Sequence, residues 1–584
     1  MKVLFLHPED DPWHGEWAGQ RWDLIVDQGY ASSFAYEEWS RRLGARALSI
    51  FQFAGQTEGY RWVNHVIESG RGRLLDRMGI DWWEMLAMES HQALHLLYLF
   101  NQLRAELIGD RIELAASRPH LFTRILEQTS GKSVFYFQGT SRSLLSRAGR
   151  MVRSARKLRS AQMIEIAFDK WDAGYRLRRY FTKHKRARLA QPAVLMPSAY
   201  SNVTRSALAY VERLPHRQFL LTTTRRNALL DRLPGNVAVT PLAAYVLPFS
   251  AVRVEAAELQ KAWEVFQRTM RSDVEEFRHA SYTGLWDYFP VHLEHGLRLR
   301  EAWKHLLDCE PITGVLCGDD LNYHTRLPLI LAHLSDRNAV YCSHGALDGG
   351  FLFKMPLADC FLVKGEMERD YLQSVRAVDT QKILLGAPGR NTFVDQENRR
   401  SGAVVFFSQP YEVEGGRVDE IYRELLPHLS SVARGSGHRL IIKLHPFESK
   451  RARRALAASI LPADVCNQVE IVGDVPPEEV IARTWCGVAV DSSVAVECAL
   501  RRVPFFLCGW LDFGGMGYLR QFARFGVGQV LTTPESLEQI PAMVANYRAE
   551  PAALARLWHE ADPAQLDEVL FGRRQMRFQD PCVY

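Results

Sequence analysis

Short apolar runs recur along the chain and alternate with longer stretches in which apolar positions return every three or four residues. The first pattern predicts buried strands and the second amphipathic helices. Runs at 2–7, 47–53, 111–115, 133–138, 193–197, 219–223, 237–240, 314–317, 339–343, 360–363, 383–385, 403–407, 440–444, 469–472, 487–490 and 504–507 read as strands. Helical periodicity is strongest at 82–107, 254–279 and 291–307. Strand and helix alternate throughout, which predicts an α/β chain with parallel sheets. Neither an internal repeat nor a low-complexity tract interrupts the pattern.

The chain has 584 residues, and one core rarely grows beyond roughly 250–300 residues, so at least two domains are expected. The best boundary falls near 370–385. The expected plan is an N-terminal domain over 1–375, a regular Rossmann-like domain over 385–545 and a helical tail over 546–584. The first part is too long for one simple Rossmann unit. It is either one enlarged domain or two sheets separated by a basic segment.

Charge changes this picture at one place. The formal net charge is +5, from 72 Lys+Arg and 67 Asp+Glu. Between Arg142 and Arg188, however, fifteen Lys/Arg face three acids, a local net of +12, and the remainder carries 57 basic against 64 acidic residues. The segment 142–188 has an apolar stripe (Leu144, Leu145, Ala148, Met151, Val152, Ala155, Leu158) opposite its arginines. A basic amphipathic helix of this kind suits an anionic membrane surface; a solvated helix packed on the N-terminal domain is the other reading. No nucleic-acid recognition motif accompanies it. Apolar residues make up 47% and charged residues 24% of the chain, which excludes a disordered or fibrous protein. No apolar run reaches the roughly 18 residues needed to span a bilayer. The opening MKVLFLHPEDDPW meets carboxylates too early for a signal peptide and reads as a first strand. All nine cysteines follow residue 308 without a CxxC pair, which suits a reducing compartment and argues against a zinc site.

Two places carry candidate chemistry. In LIIKLHPFES, Pro446 cannot continue a central ladder, so the strand ends there and His445 stands at its carboxyl end. Period-2 alternation puts Lys443 on the same side. Ligands bind along that edge in open α/β sheets, where an imidazole N–H and an ammonium can meet a phosphate; a structural strand-ending histidine is the alternative. In CGVAVDSSVAVECAL, Asp491-Ser492-Ser493 turns a strand into a helix, whose N-terminus offers N–H groups to phosphate, with two hydroxyls beside them. Glu497 lies four residues after Ser493, whereas a capping box needs three, so it is free to accept from ribose hydroxyls. Plain serine capping is the alternative there. Both places belong to one predicted domain, on its third and fifth strands.

A strand ending in His445-Pro446 followed by a Ser492-Ser493 doublet opening a helix resembles the donor site of bacterial GT-B glycosyltransferases that use CMP-activated sugars, the Kdo transferase and polysialyltransferase type. The segments Ser343-His344-Gly345 and Val363-Lys364-Gly365-Glu366 are similar to surface-polysaccharide transferases. The resemblance covers roughly 310–515. It implies an α/β GT-B fold of two Rossmann-like domains with an interdomain cleft and an enlarged N-terminal domain. It also implies a nucleotide-sugar donor held by Lys443, His445, Pro446, Ser492, Ser493 and Glu497, with Arg390 as a further donor-side residue in a Pro/Gly turn. No resident cofactor or metal is implied, the CMP-sugar being a substrate. The acceptor would be a glycan or lipid-linked glycan of the bacterial surface, the sugar Kdo or a related ulosonic acid, and the place of work the cytoplasm or the inner-membrane face. The family's acidic-acidic-glycine base motif is missing. The nearest match is reversed, Gly318-Asp319-Asp320, so Asp319 or Asp320 is the first candidate base, His344 the second, and the His7-Pro8-Glu9-Asp10-Asp11 loop after the first strand the third. A carboxylate or imidazole there can take the proton of an attacking hydroxyl.

Four other activities fit the same layout less well: a CDP-glycerol or CDP-ribitol phosphotransferase, a UDP-sugar-dependent transferase, a sugar-nucleotide 2-epimerase, and a non-catalytic polysaccharide-assembly protein. Seven of the fourteen tryptophans lie in the first 83 residues. They raise an aromatic acceptor groove as an alternative to core packing.

Overall fold

The computed structural model describes residues 1–52, 56–107, 112–137, 189–389 (without 190, 226, 227, 229, 231, 248, 283, 288, 346, 348–353 and 377), 402–511 (without 474) and 517–572. The basic segment 142–188 lies outside them, so its membrane-facing reading finds no structural counterpart here. The chain is α/β, with three parallel sheets distributed over two compact units: 1–60, 96–140 and 391–558 in the first, 61–95, 141–390 and 559–584 in the second.

The first sheet is built from β1 (Lys2–Leu6), β2 (Leu24–Asp27), β3 (Arg46–Ser49), β4 (Glu113–Ala116) and β5 (Val134–Tyr136), in the order β3-β2-β1-β4-β5. The seven-stranded sheet uses β6 (Ala193–Ser198), β7 (Gln218–Thr223), β8 (Val237–Pro241), β9 (Ile312–Cys317), β10 (Asn338–Cys342), β11 (Cys360–Val363) and β12 (Ile383–Leu385), in the order β12-β11-β10-β9-β6-β7-β8. The six-stranded sheet uses β13 (Ala403–Phe407), β14 (Leu440–Lys443), β15 (Glu470–Val472), β16 (Thr484–Ala489), β17 (Phe505–Cys508) and β18 (Gln529–Leu531), in the order β15-β14-β13-β16-β17-β18.

Several expected boundaries move. The span 1–375 is not one domain: β1–β5 belong to the first unit and β6–β12 to the second. Strand β12 closes the seven-stranded sheet, pairing Ile383 with Phe361, and so does not begin the donor-side unit. His445 and Ser492 therefore follow the second and fourth strands of their sheet, not the third and fifth. The stretch 546–584 is more than a tail. Helix Pro563–Phe571 buries Leu566 and Leu570 in the core of the seven-stranded sheet, and Asp567 holds Arg217 through two contacts of 2.6 Å. The helix expected over 82–107 breaks at Ser90, and that over 254–279 at Val274, whose backbone is extended (φ −125°, ψ 107°).

Within the first unit the six-stranded sheet owes its core to a strongly amphipathic helix. Val418–Gly435 turns Val418, Ile421, Tyr422, Leu425, Leu426 and Leu429 inward, an i, i+3, i+4, i+7 stripe, onto Val404, Phe406, Leu440 and Ile442. The same helix start meets the first sheet. Arg417 donates to Asp27 from Nε (2.6 Å) and a terminal nitrogen (2.8 Å), and to the carbonyls of His7 and Asp10. Tyr36 donates to the same Asp27 carboxylate at 2.6 Å. Tyr30 and Gly416 form a parallel bridge, in which Gly415 has φ +91° and a Cβ on Gly416 would sit 2.9 Å from the Tyr30 ring. Only glycine meets both demands.

Ser32 donates to Glu424 at 2.8 Å on the same helix. Burial pushes the Glu424 carboxyl up to about 7. Its folded value lies above the unfolded one, so the neutral form contributes stability that is fully present below about pH 4 and is lost as pH rises through 7. Glu424→Gln keeps the acceptor and removes the titration. Its advantage over the parent should grow from near zero at pH 4 to about 1–2 kcal/mol at pH 8, read as a melting-temperature difference across that range. A difference that does not change with pH would contradict the assignment.

The aromatic groove is not found. Trp17, Trp22 and Trp39 lie in the core of the first sheet, and Trp82 and Trp83 are fully buried in the second unit; Trp13 and Trp62 are half-buried. No helix among the described residues is long and apolar enough to cross a membrane.

Candidate functional site

In the six-stranded sheet the chain runs from β13 outward to β14 and β15, then crosses back to β16. Strand order reverses between β13 and β16, where open parallel sheets form their ligand crevice at the carboxyl edge. The predicted donor residues follow β14 and β16, on either side of β13.

Strand β14 ends at Lys443, so the alternation expected to carry from Lys443 to His445 stops one residue in. Lys443 is buried, and its ammonium donates to the carbonyls of Leu444 (2.7 Å) and Gly473 (2.8 Å). It closes the ends of β14 and β15 together. Beyond it, His445-Pro446-Phe447-Glu448 makes a tight turn, with Glu448 N–H on the His445 carbonyl at 3.0 Å. The Glu448 carboxylate folds back beneath this turn. Oε2 accepts the His445 N–H (2.7 Å), while Oε1 accepts Ser408 (2.8 Å) and Arg453 Nε (2.8 Å). Arg453 reaches Glu412 at 2.5 Å, and Ser408 shares a 2.7 Å bond with Tyr422. Ser449 caps the following helix, Lys450–Ile460, accepting from Ala452, which brings Arg453 round to face Glu448. Pro446 and Phe447 are exposed on the turn.

Burial, reinforced by the Lys443 ammonium, lowers the His445 pKa. The ring is therefore neutral near pH 7. Its Nδ1 accepts the Phe447 N–H at 3.3 Å, which leaves the proton on Nε2. His445 is thus a half-buried, fixed hydrogen-bond donor.

At β16, Asp491 accepts a short hydrogen bond from Gln409 Nε2, and its own N–H meets Gln409 Oε1 at 3.4 Å. This pair bridges the switch point, and burial raises the Asp491 pKa. Ser492 accepts from Val494 N–H at 3.4 Å. Ser493 occupies the cap position in helical conformation (φ −61°, ψ −16°) with no side-chain capping bond, and it is exposed. Serine capping therefore does not account for its hydroxyl. The helix it opens, Val494–Leu500, is only seven residues long, so the hydroxyls matter more here than the helix dipole. Glu497 does have a structural partner, a 3.6 Å ion pair with Arg501 one turn on. Arg390 lies outside the described residues.

The seven-stranded sheet has its own switch point, between β6 and β9. Asp319, Asp320 and His344 follow β9 and β10. Asp319 is buried and accepts from Leu321 N–H (3.0 Å) and Asn322 Nδ2 (2.8 Å). Burial raises its pKa, opposed by His344 and Lys354. Asp320 is spent on two ion pairs. It is 2% exposed and held between Lys354 Nζ and Arg326 (3.0 Å). Arg326 in turn binds Glu84 at 2.6 Å, and Glu84 binds Arg71 at 2.8 Å. Both Asp320 oxygens are therefore engaged by buried cations. His344 is exposed, and its Nδ1 lies 3.0 Å from the Gly318 carbonyl.

Asp491 stands in a turn the sequence already singles out, but its pairing with Gln409, and the tie of Glu448 to Ser408 and Arg453, are legible only in the structure. Arg225 and Tyr200, whose guanidinium and hydroxyl meet at the carboxyl ends of β7 and β6, are not singled out by the sequence at all. Among the described residues no group of three or more His, Cys, Asp or Glu side chains could hold a metal ion.

No family model matches the chain, and neither does any curated protein. Solved structures resemble it at low identity. MurG of Acinetobacter baumannii is 12% identical with a TM-score of 0.37, over 65% of this chain and 99% of that one. A form of the wall teichoic acid polymerase TagF soaked with CDPG is 10% identical with a TM-score of 0.39, over 72% and 96%. The UDP-GlcNAc 2-epimerase of Methanocaldococcus jannaschii, in complex with UDP-GlcNAc and UDP, is 11% identical with a TM-score of 0.38, over 65% and 97%. These scores are low, and the reading of the site rests on its own residues.

Proposed function

We propose that the chain is a GT-B-type inverting glycosyltransferase that takes a CMP-activated sugar, Kdo or a related ulosonic acid, and transfers it to a bacterial surface glycan. The observation that carries this reading is the pairing of a neutral, Nε2-protonated His445 with the Ser492 and Ser493 hydroxyls, one on each side of β13 at the switch point of a parallel sheet. A donor N–H and two hydroxyls at that edge suit a nucleotide phosphate and its ribose. Glu448, Arg453 and Ser408 hold the His445 turn rigid, so the donor group needs no ordering when the nucleotide arrives.

In the reaction the acceptor oxygen bonds to the anomeric carbon, the bond from that carbon to the donor phosphate oxygen breaks, and CMP leaves with the electron pair. The acceptor proton needs a base. His344 is a better candidate than Asp319, which spends both oxygens on its own loop. The anionic membrane contact of 142–188 belongs to the same proposal, as a means of meeting a lipid-linked acceptor.

The test is nucleotide binding. CMP should raise the melting temperature more than UDP or GDP. His445→Ala should weaken CMP about 10- to 100-fold, the worth of a hydrogen bond to a charged phosphate. Ser492→Ala should weaken it less. Stabilisation by UDP or GDP but not CMP would overturn the donor, and an unchanged response in His445→Ala would overturn the site.

A further inference from the structure

Lys364 directly follows β11, whereas Lys443 is the last residue of β14, and the Lys364 ammonium is spent differently. Nζ donates to the carbonyls of Ser343 (3.1 Å) and Gly345 (2.7 Å) and lies 3.3 Å from Glu368 Oε1. The other Glu368 oxygen accepts the Lys364 backbone N–H at 2.6 Å. Glu368 is 7% exposed, so this anchor sits inside the second unit. Three N–H bonds of the ammonium thus meet three acceptors, and none is left over to serve as a phosphate ligand.

The two carbonyls belong to the residues immediately before and after His344. Holding the Ser343–His344 peptide and the Gly345 carbonyl restrains the backbone that carries the ring. A third tether comes from β9: a carbonyl can only accept, so the 3.0 Å contact between Nδ1 and Gly318 O places the ring proton on Nδ1. The lone pair is then on Nε2, in an exposed side chain. The ends of β9, β10 and β11 converge on one imidazole.

We propose that Lys364, anchored by Glu368, is the positioning residue of the general base: by clamping the carbonyls of Ser343 and Gly345 it holds His344 in the Nδ1–H tautomer with Nε2 ready to take the acceptor proton. This rests on the reading of His344 as base. In the step itself, Nε2 gains the proton as the acceptor oxygen bonds to the anomeric carbon, and the imidazolium returns it to solvent after CMP departs.

The experiment combines ring nitrogen NMR on histidine-labelled protein, the His344 signals assigned by their loss in His344→Gln, with turnover of CMP-sugar. The parent should show the Nδ1–H tautomer at high pH. Lys364→Met should give mixed tautomers and lower kcat about 10- to 100-fold, with donor KM and the CMP thermal shift unchanged. Lys364→Arg, which can still span the two carbonyls, should recover much of both. Glu368→Gln, a milder change, should move the same readouts less and in the same direction, and it decides the matter should Lys364→Met not fold. Nε2–H in the parent, or unchanged tautomer and turnover in both variants, would overturn the proposal. If the tautomer behaves as stated but no transfer occurs with any CMP-sugar, the transferase reading fails and the Lys364 clamp stands.

Discussion

Replacing Arg417 by Met should destabilise the first unit by about 3–5 kcal/mol, the usual cost of removing one partner from a buried ion pair. Asp27 is completely buried and Arg417 is 5% exposed, so water cannot take the place of the lost guanidinium. The Tyr36 hydroxyl and the Gly29 N–H would remain as the carboxylate's partners, and the ionisation of Tyr36 is already suppressed by burial and by Asp27. These two neutral donors do not replace the charge and the two bonds of the guanidinium. The methionine also forfeits the stacking of Arg417 over Trp39, at 4.8 Å, and the bonds to the His7 and Asp10 carbonyls. Arg417→Lys should lose less, because it keeps the charge but not the fork. Urea unfolding followed by tryptophan fluorescence measures this. A loss below about 0.5 kcal/mol, the range of ordinary surface changes, would show that the pair does not hold the first sheet to the six-stranded one.

The second large effect concerns Asp320. Asp320→Asn should cost about 3–5 kcal/mol in the second unit, because it strips a carboxylate from a fully buried Lys354 and from Arg326. The double variant Asp320→Asn with Lys354→Met should recover most of the loss, since removing both partners leaves no uncompensated charge. A base behaves differently: its amide variant keeps its stability and loses turnover. Full stability with abolished transfer in Asp320→Asn would therefore restore Asp320 as the base and displace His344.

Long apolar runs made the sheets legible. β13 and β14 are buried along their whole length, and a run of that kind has few other homes than a parallel sheet. Pro446 and the Asp491-Ser492-Ser493 turn announce strand ends through local chemistry, so the two donor candidates could be placed at carboxyl edges without a structure. β2 and β18 are not read from the sequence, although β5 and β12, just as short, are. The fate of charged side chains was not legible. Arg326 and Glu84 are 242 positions apart, and nothing near either residue says that they meet. Lys443 and Lys364 look alike in sequence, each a lysine closing an apolar strand. Their different tasks depend on which carbonyls the neighbouring loops present.

The joint between Asp27 and Arg417 also has a history in time. The two residues are 390 positions apart, and at about 5–20 residues per second roughly 20–80 s of synthesis separate them. For that interval the nascent first sheet carries a carboxylate whose cation has not been made. The span 141–390, which supplies the seven-stranded sheet, emerges in between and can assemble before the first unit has its second half. That sheet then waits for helix Pro563–Phe571, which is made after both halves of the first unit. Neither unit can close until a segment that lies beyond the start of the other has been made.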